Sequence, residues 1–107
     1  MEPKVWGPKM WIFLHSVAYA YPEEPSKAHQ KNMKKFIKSL KHILPCPTCK
    51  KNMKKHTDQL PLTADILKSR AKMVMWFVDL HNLVNKETGK KELTYDEAQD
   101  SLLGLYY

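Results

Sequence analysis

The sequence has few cysteines, no long apolar run and no secretory leader pattern, and each shortage excludes a class of protein. Its two cysteines, Cys46 and Cys49, are too few and too closely spaced for the disulfide framework of a small secreted domain. The longest unbroken apolar stretch, Met73–Val78, is far shorter than the roughly 20 residues that cross a bilayer. The first residues contain no charged segment followed by an apolar one, so no signal peptide is predicted. We therefore expect a cytoplasmic chain without a membrane span.

Acidic residues are also scarce. The chain has 11 Asp and Glu against 18 Lys and Arg, which gives a formal net charge of +7. This excess predicts affinity for an anion, such as nucleic acid, acidic lipid, an acidic protein or a phosphorylated cofactor. Solvated helix faces are the simpler interpretation, and a basic nucleic-acid-binding module is the alternative. The lysines form two groups, Lys31, Lys34, Lys35, Lys38 and Lys41, and then Lys50, Lys51, Lys54 and Lys55.

The sequence pattern predicts an all-α fold. The 107 residues support one domain spanning residues 1–107, and no segment alternates with the period of two that a sheet would require. We expect a four-helix bundle with a short fifth helix. The first helix is apolar almost all round, which is typical of a central helix. The predicted starts are Pro8, Ser26, Cys46 or Pro47, Thr63, and Thr94, which forms a capping box with Glu97. The predicted ends lie near Ala20, before Pro45, near His56 and between Asn85 and Gly89.

The two cysteines form a Cys-Pro-Thr-Cys motif at the start of the third predicted helix. Unpaired N–H groups and the positive end of the helix dipole favour a thiolate there, and Lys50 and Lys51 add positive charge. A lowered thiol pKa is what a thiol–disulfide exchanger needs. The motif alone therefore indicates a redox-active or a metal-binding pair.

Four other interpretations of this motif have less support. Haem attachment would require a histidine where the chain has Lys50. Structural zinc requires four ligands, and the five histidines form no His-x(3–5)-His pair. A thioredoxin-like site requires strands around the motif, and none is predicted. Two inert buried cysteines would explain neither the prolines nor the lysines.

Two further segments sharpen the interpretation. Trp6–Pro22 contains Trp-Gly-x-x-x-Trp-x-x-Leu-His, and Trp76–Asn85 ends in His-Asn-x-Val-Asn. With Cys-x-x-Cys between them, these segments resemble the Erv/ALR family of FAD-linked sulfhydryl oxidases over nearly the whole chain. The chain also resembles the minimal forms encoded by large cytoplasmic DNA viruses, which would place it in the host cytoplasm or the virion.

The resemblance implies a helical bundle that holds FAD at its mouth, and an enzyme that is commonly a homodimer. It implies that Cys46 exchanges with thiol-containing protein substrates and that Cys49 passes electrons to FAD. The final acceptor would be O2, giving H2O2. No other cysteine is present, so no second disulfide or separate shuttle pair is expected.

The resemblance also assigns cofactor contacts. Two positions depart from the family pattern, because Pro8 stands where an arginine is common and Asp79 where a histidine is common. No metal site is expected. The residues that match FAD-binding positions of the family are Gly7, Trp11, His15, Tyr19, His81, Asn82, Val84, Asn85 and Lys90.

Overall fold

The structure, a computed structural model, describes residues 1–104, and this part of the chain contains six helices and no strand. The all-α prediction is confirmed. Four helices are long and the last one is short, as predicted, but a further short helix precedes the fourth long one. The bounds are α1 Pro3–Tyr19, α2 Lys27–Ile43, α3 Pro47–Gln59, α4 Ala64–Leu67, α5 Arg70–Glu87 and α6 Tyr95–Leu103.

Short polar side chains cap most of these helices. Each of these caps accepts a hydrogen bond from the backbone N–H three residues later, which satisfies one donor that the first turn leaves free. The predicted caps Ser26, Thr63 and Thr94 all occur, and Thr94 and Glu97 form the predicted capping box. Local sequence chemistry therefore determines most of the helix starts.

Two predicted boundaries were wrong. The first helix begins at Pro3 and contains Pro8, because Pro3 already supplies the fixed φ that suits the first helical position. The predicted fourth helix is divided, since α4 ends at Leu67 and Ser69 caps a new helix, α5. The Tyr21 hydroxyl donates a 2.5 Å hydrogen bond to the Leu67 carbonyl, so a tertiary contact fixes this break.

The core lies where α1 and α5 pack together and α2 and α3 close over them. Leu14, Met73, Phe77 and Leu80 are its largest fully buried side chains. Although α1 is apolar almost all round, the fold does not cover every side of it, because Phe13 remains 59% exposed. One face of α1 therefore packs into the core, and another is an apolar surface.

The length and apolarity of the helices bear on membrane insertion. No helix within residues 1–104 combines the length and apolar character that crossing a bilayer requires.

Candidate active site

The two cysteines lie at the start of α3, where the sequence predicts them. Cys46 is the N-cap, and its sulfur accepts a 3.2 Å hydrogen bond from the Cys49 backbone N–H. Pro47 occupies the first helical position, where a missing N–H costs nothing. Both thiols are reduced and half-buried. One helical turn therefore holds the two thiols together.

The environment drives the two thiol pKa values apart. A hydrogen bond from the Cys49 side chain, aided by backbone N–H groups, lowers the pKa of Cys46 below the ordinary value of 9.0. Burial, together with the hydrogen bond and charge of Cys46, raises the pKa of Cys49 to about 11. At neutral pH a larger fraction of Cys46 than of Cys49 is therefore ionised to the thiolate. The lower pKa also makes Cys46 the better leaving group in thiol–disulfide exchange.

This split predicts selective alkylation of the reduced protein. At pH 7 iodoacetamide should modify Cys46 first, because only thiolates react and Cys49 holds its proton until about pH 11. In a Cys46→Ala variant the pKa of Cys49 should fall toward 9.0, because the hydrogen bond and the charge of Cys46 no longer raise it, while burial remains. Mass spectrometry of alkylation against pH measures both effects. Equal modification rates for the two cysteines would contradict the split.

A second group of predicted site residues meets between α1 and α5. The rings of Trp11 and His81 stack in parallel, with centroids 4.1 Å apart and planes 6° apart. His15 completes the group, because its Nε2 lies 2.9 Å from Nδ1 of His81. One turn of α1 separates Trp11 from His15, so both side chains lie on the face of α1 that meets α5.

The two imidazoles in this cluster are held neutral. Burial lowers the pKa of His15. Burial, with smaller contributions from His15 and Lys90, lowers the pKa of His81 to about 4. A neutral imidazole offers one donor and one acceptor at its ring edge. The cluster therefore combines stacked aromatic rings with hydrogen-bonding ring edges that carry no fixed charge.

Hydrogen bonds made by two asparagines, Asn82 and Asn85, join the end of α5 to the loop after it. The side chain of Asn82 makes two hydrogen bonds with the backbone of Leu93, at 2.7 and 2.9 Å. The carbonyl of buried Asn85 accepts a 2.7 Å bond from the Lys90 N–H. These bonds hold the loop that carries Lys90 close to His81, while the amide of Asn82 is already engaged.

The remaining predicted cofactor residues do not join the cluster through any ring contact or hydrogen bond within residues 1–104. Gly7 has open space around it, Val84 packs against the core, and Tyr19 lines a separate cavity of about 520 Å³ with Tyr95 and Arg70. The cysteine pair is likewise not bonded to the cluster in this part of the chain. Cys49 instead packs against the core of which Trp11 is a member.

Sequence reasoning missed two contacts that anchor the site. Nε2 of buried His56, on the cysteine helix, lies 2.9 Å from the Glu87 carboxylate at the end of α5, and its Nδ1 has no hydrogen-bond partner among residues 1–104. Asp79, a departure from the family pattern, accepts a 2.8 Å hydrogen bond from the Tyr95 hydroxyl of α6. No sequence pattern predicts either pair, because each joins side chains from different helices.

No three His, Cys, Asp or Glu side chains within the described 104 residues come together as a metal site.

Comparison with known proteins decides among the remaining interpretations of the cysteine pair. A profile of the Erv1 / Alr family matches residues 8–102. The chain belongs to the Erv1/Alr family. A basic nucleic-acid module would leave this match unexplained.

Individual Erv1/Alr relatives agree with this assignment. The chain is 41% identical over 102 residues to a protein of Acanthamoeba polyphaga mimivirus named "Probable FAD-linked sulfhydryl oxidase R368", covering 95% of this chain and 71% of the relative. It is 36% identical over 84 residues to the mitochondrial FAD-linked sulfhydryl oxidase ERV1 of Saccharomyces cerevisiae, covering 78% of this chain and 43% of the relative. The chain thus spans less than half of the yeast protein.

Solved Erv1/Alr structures share the fold. The crystal structure of the FAD binding domain of Erv1 from Saccharomyces cerevisiae superposes with a TM-score of 0.82 at 31% identity, covering 94% of this chain and 92% of that one. The predicted resemblance to this family, and to its viral members through the mimivirus relative, is confirmed.

Proposed function

We propose that this chain is an FAD-dependent thiol oxidase that makes disulfides in protein substrates and passes the electrons to O2. The observation that carries the proposal is the cysteine pair with its divided pKa values, in a chain of the Erv1/Alr family. The yeast relative is named as an FAD-linked sulfhydryl oxidase, and the matching yeast structure as an FAD binding domain.

The chemistry begins from the oxidised Cys46–Cys49 disulfide. A substrate thiolate attacks the sulfur of Cys46, the intrachain S–S bond breaks, and the released Cys49 sulfur takes up a proton, as its raised pKa requires at neutral pH. A second substrate thiolate then attacks the substrate sulfur of the mixed disulfide and releases Cys46, whose low pKa makes it a good leaving group. The substrate has lost two electrons and two protons, and the chain is left as the dithiol.

The dithiol must then be reoxidised. Bound FAD supplies a two-electron acceptor that O2 regenerates, with H2O2 as the product. Cys49 is the cysteine that packs against the core, so we assign it to face the cofactor and Cys46 to face substrate.

The residues present fit FAD. Trp11 and His81 offer flat rings for stacking, and neutral His15 and His81 can hydrogen-bond a ring edge. Lys90, held near His81, can pair with the negative charge of the FAD pyrophosphate. We assign Asn82 and Asn85 to positioning the Lys90 loop, and keep Gly7, Tyr19 and Val84 as proposed contacts.

The test is a visible spectrum followed by an oxygen electrode. Purified protein supplied with FAD should turn yellow, and it should consume O2 and release H2O2 when dithiothreitol is added. A Cys46→Ser, Cys49→Ser double variant should stay yellow and consume none. A wild-type protein that stays colourless and takes up no oxygen would refute the proposal.

We further propose that the chain works as a homodimer in the cytoplasm, or in the virion if the source is viral. The support is an apolar face on α1 and α2, where 59%-exposed Phe13 meets Phe36 edge to face. A cavity of about 300 Å³ adjoins this pair. Sedimentation velocity should give about twice the 12.6 kDa of one chain, and a Phe13→Glu variant should sediment as a monomer.

A further inference from the structure

The net positive charge of the chain comes from one part of the sequence. Residues 25–57, here called the basic segment, contain ten lysines and no acidic residue, for a formal charge of +10. The remainder has eight Lys and Arg against eleven Asp and Glu. The basic segment comprises all of α2 and most of α3, two helices that pack together. The net charge of the protein therefore comes from one pair of helices, while the rest is slightly acidic.

The lysines of α2 are not neutralised by the fold. None of the six forms an ion pair within residues 1–104. Five of them follow one another at steps of four and three residues, which places them along one face of the helix. This lysine stripe consists of Lys27, Lys31, Lys34, Lys38 and Lys41.

The lysine stripe ends at the reactive thiol. α2 stops at Ile43, and Cys46 caps α3 three residues later. The α3 lysines begin one turn after Cys46, at Lys50. Ile43, three residues before Cys46 in the chain, is 64% exposed, so an apolar side chain is accessible between the lysines of the two helices.

We propose that the basic segment selects protein thiols presented in acidic stretches, with an apolar residue near the cysteine to meet Ile43. This inference rests on the proposed oxidase function and names its substrate class. A surface of one sign raises the local concentration of oppositely charged partners and speeds their encounter. Solubility alone would not require acidic residues to be absent from 33 consecutive positions. The exposed apolar side chain of Ile43 favours a polypeptide over a nucleic acid.

The experiment compares two synthetic dithiol peptides of identical sequence, except that Asp and Glu flank the cysteines in one and Lys in the other. At low salt we expect kcat/KM for the acidic peptide to exceed that for the basic one at least about tenfold. Salt screens charges over about 10 Å at 0.1 M and about 3 Å at 1 M, so the ratio should fall toward one as salt is added. Dithiothreitol, which is uncharged, reports the oxidase reaction itself.

A charge-reversal pair locates the effect. Lys34→Glu with Lys38→Glu changes two exposed side chains of the lysine stripe, twelve and eight residues before Cys46. We expect kcat/KM for the acidic peptide to fall at least about fivefold at low salt, while dithiothreitol oxidation stays within about twofold of wild type.

The matched control is Lys68→Glu with Lys72→Glu, which makes the same charge change elsewhere. Lys68 directly follows Leu67, whose carbonyl accepts a hydrogen bond from the Tyr21 hydroxyl. Tyr21 in turn lines a cavity with His29 and Met33, which lie in the first turns of α2. The control therefore lies at the end of α2 opposite Cys46. It should keep most of the preference for the acidic peptide.

The possible results separate the two proposals. If dithiothreitol is oxidised normally but both peptides react equally at low salt, the substrate class is wrong and the oxidase stands. If they react equally, and duplex DNA binds wild type but not the Lys34, Lys38 variant, the basic segment is a nucleic-acid surface. If dithiothreitol is not oxidised and no flavin binds, both proposals fall.

Discussion

A Cys49→Ser variant is expected to lose thiol oxidation by at least about a thousandfold while keeping its yellow colour. Serine cannot form a disulfide, so Cys46 has no intrachain partner and no oxidised state to offer a substrate thiolate. The chain has no third cysteine to substitute for it. An oxygen electrode with dithiothreitol measures the loss, and the visible spectrum measures retained flavin.

The same variant should trap a partner. Cys46, with its lowered pKa, can still attack a model disulfide peptide, forming a mixed disulfide and releasing one peptide thiol. Without the Cys49 thiol nothing within the chain resolves this adduct, so mass spectrometry should find it on Cys46. Thr48→Ser, an exposed change in the same helical turn, is the control and should keep activity within about twofold. Near-normal turnover in Cys49→Ser would refute the assigned roles.

The features that the sequence predicted well are those that neighbouring residues determine. Ser26, Thr63 and Thr94 cap helices because a hydroxyl three residues before a backbone N–H suffices. Cys46 at the N-cap of α3 follows from the proline beside it and the helical pattern after it. These interactions are local, so the distant chain does not alter them.

The features that the sequence could not predict depend on contacts between distant segments. The break between α4 and α5 coincides with a hydrogen bond from Tyr21, 46 residues away from Leu67. Arg70 strengthens the same junction through the Tyr21 carbonyl and Glu23. Periodicity read the region as one helix, because both halves show the same apolar face and only the tertiary structure interrupts it.

The candidate site shows the same division. The motifs pointed to Trp11, His15 and His81, but only the fold shows that Trp11 stacks on His81 while His15 bonds to it. The sequence likewise could not predict that the Asn82 side-chain amide makes two hydrogen bonds with the Leu93 backbone. A residue type in a motif suggests a contact, and its existing partners decide whether it binds or positions.

The helix α5 is the element on which the rest of the site depends. It carries His81 to the face of α1, receives the Tyr95 hydroxyl through Asp79, and holds the cysteine helix through Glu87 and His56. All three contacts are made by one helix, so the packing of α5 in the core fixes their relative positions. Phe77 is fully buried near the centre of α5, so we expect the packing of this helix to depend most on the Phe77 side chain.

A Phe77→Ala variant is therefore expected to lose about 3–5 kcal/mol of unfolding free energy, through lost burial and the cavity left behind. Natural domains of this size are stable by only about 5–15 kcal/mol, so the melting temperature should drop by more than roughly 12 °C. Met75→Ala is the matched control, because this side chain lies two residues away on the same helix and is 41% exposed. It should cost about 1 kcal/mol. Urea unfolding followed by circular dichroism measures the unfolding free energy of both variants. Equal losses of unfolding free energy would show that the packing of α5 does not depend on Phe77.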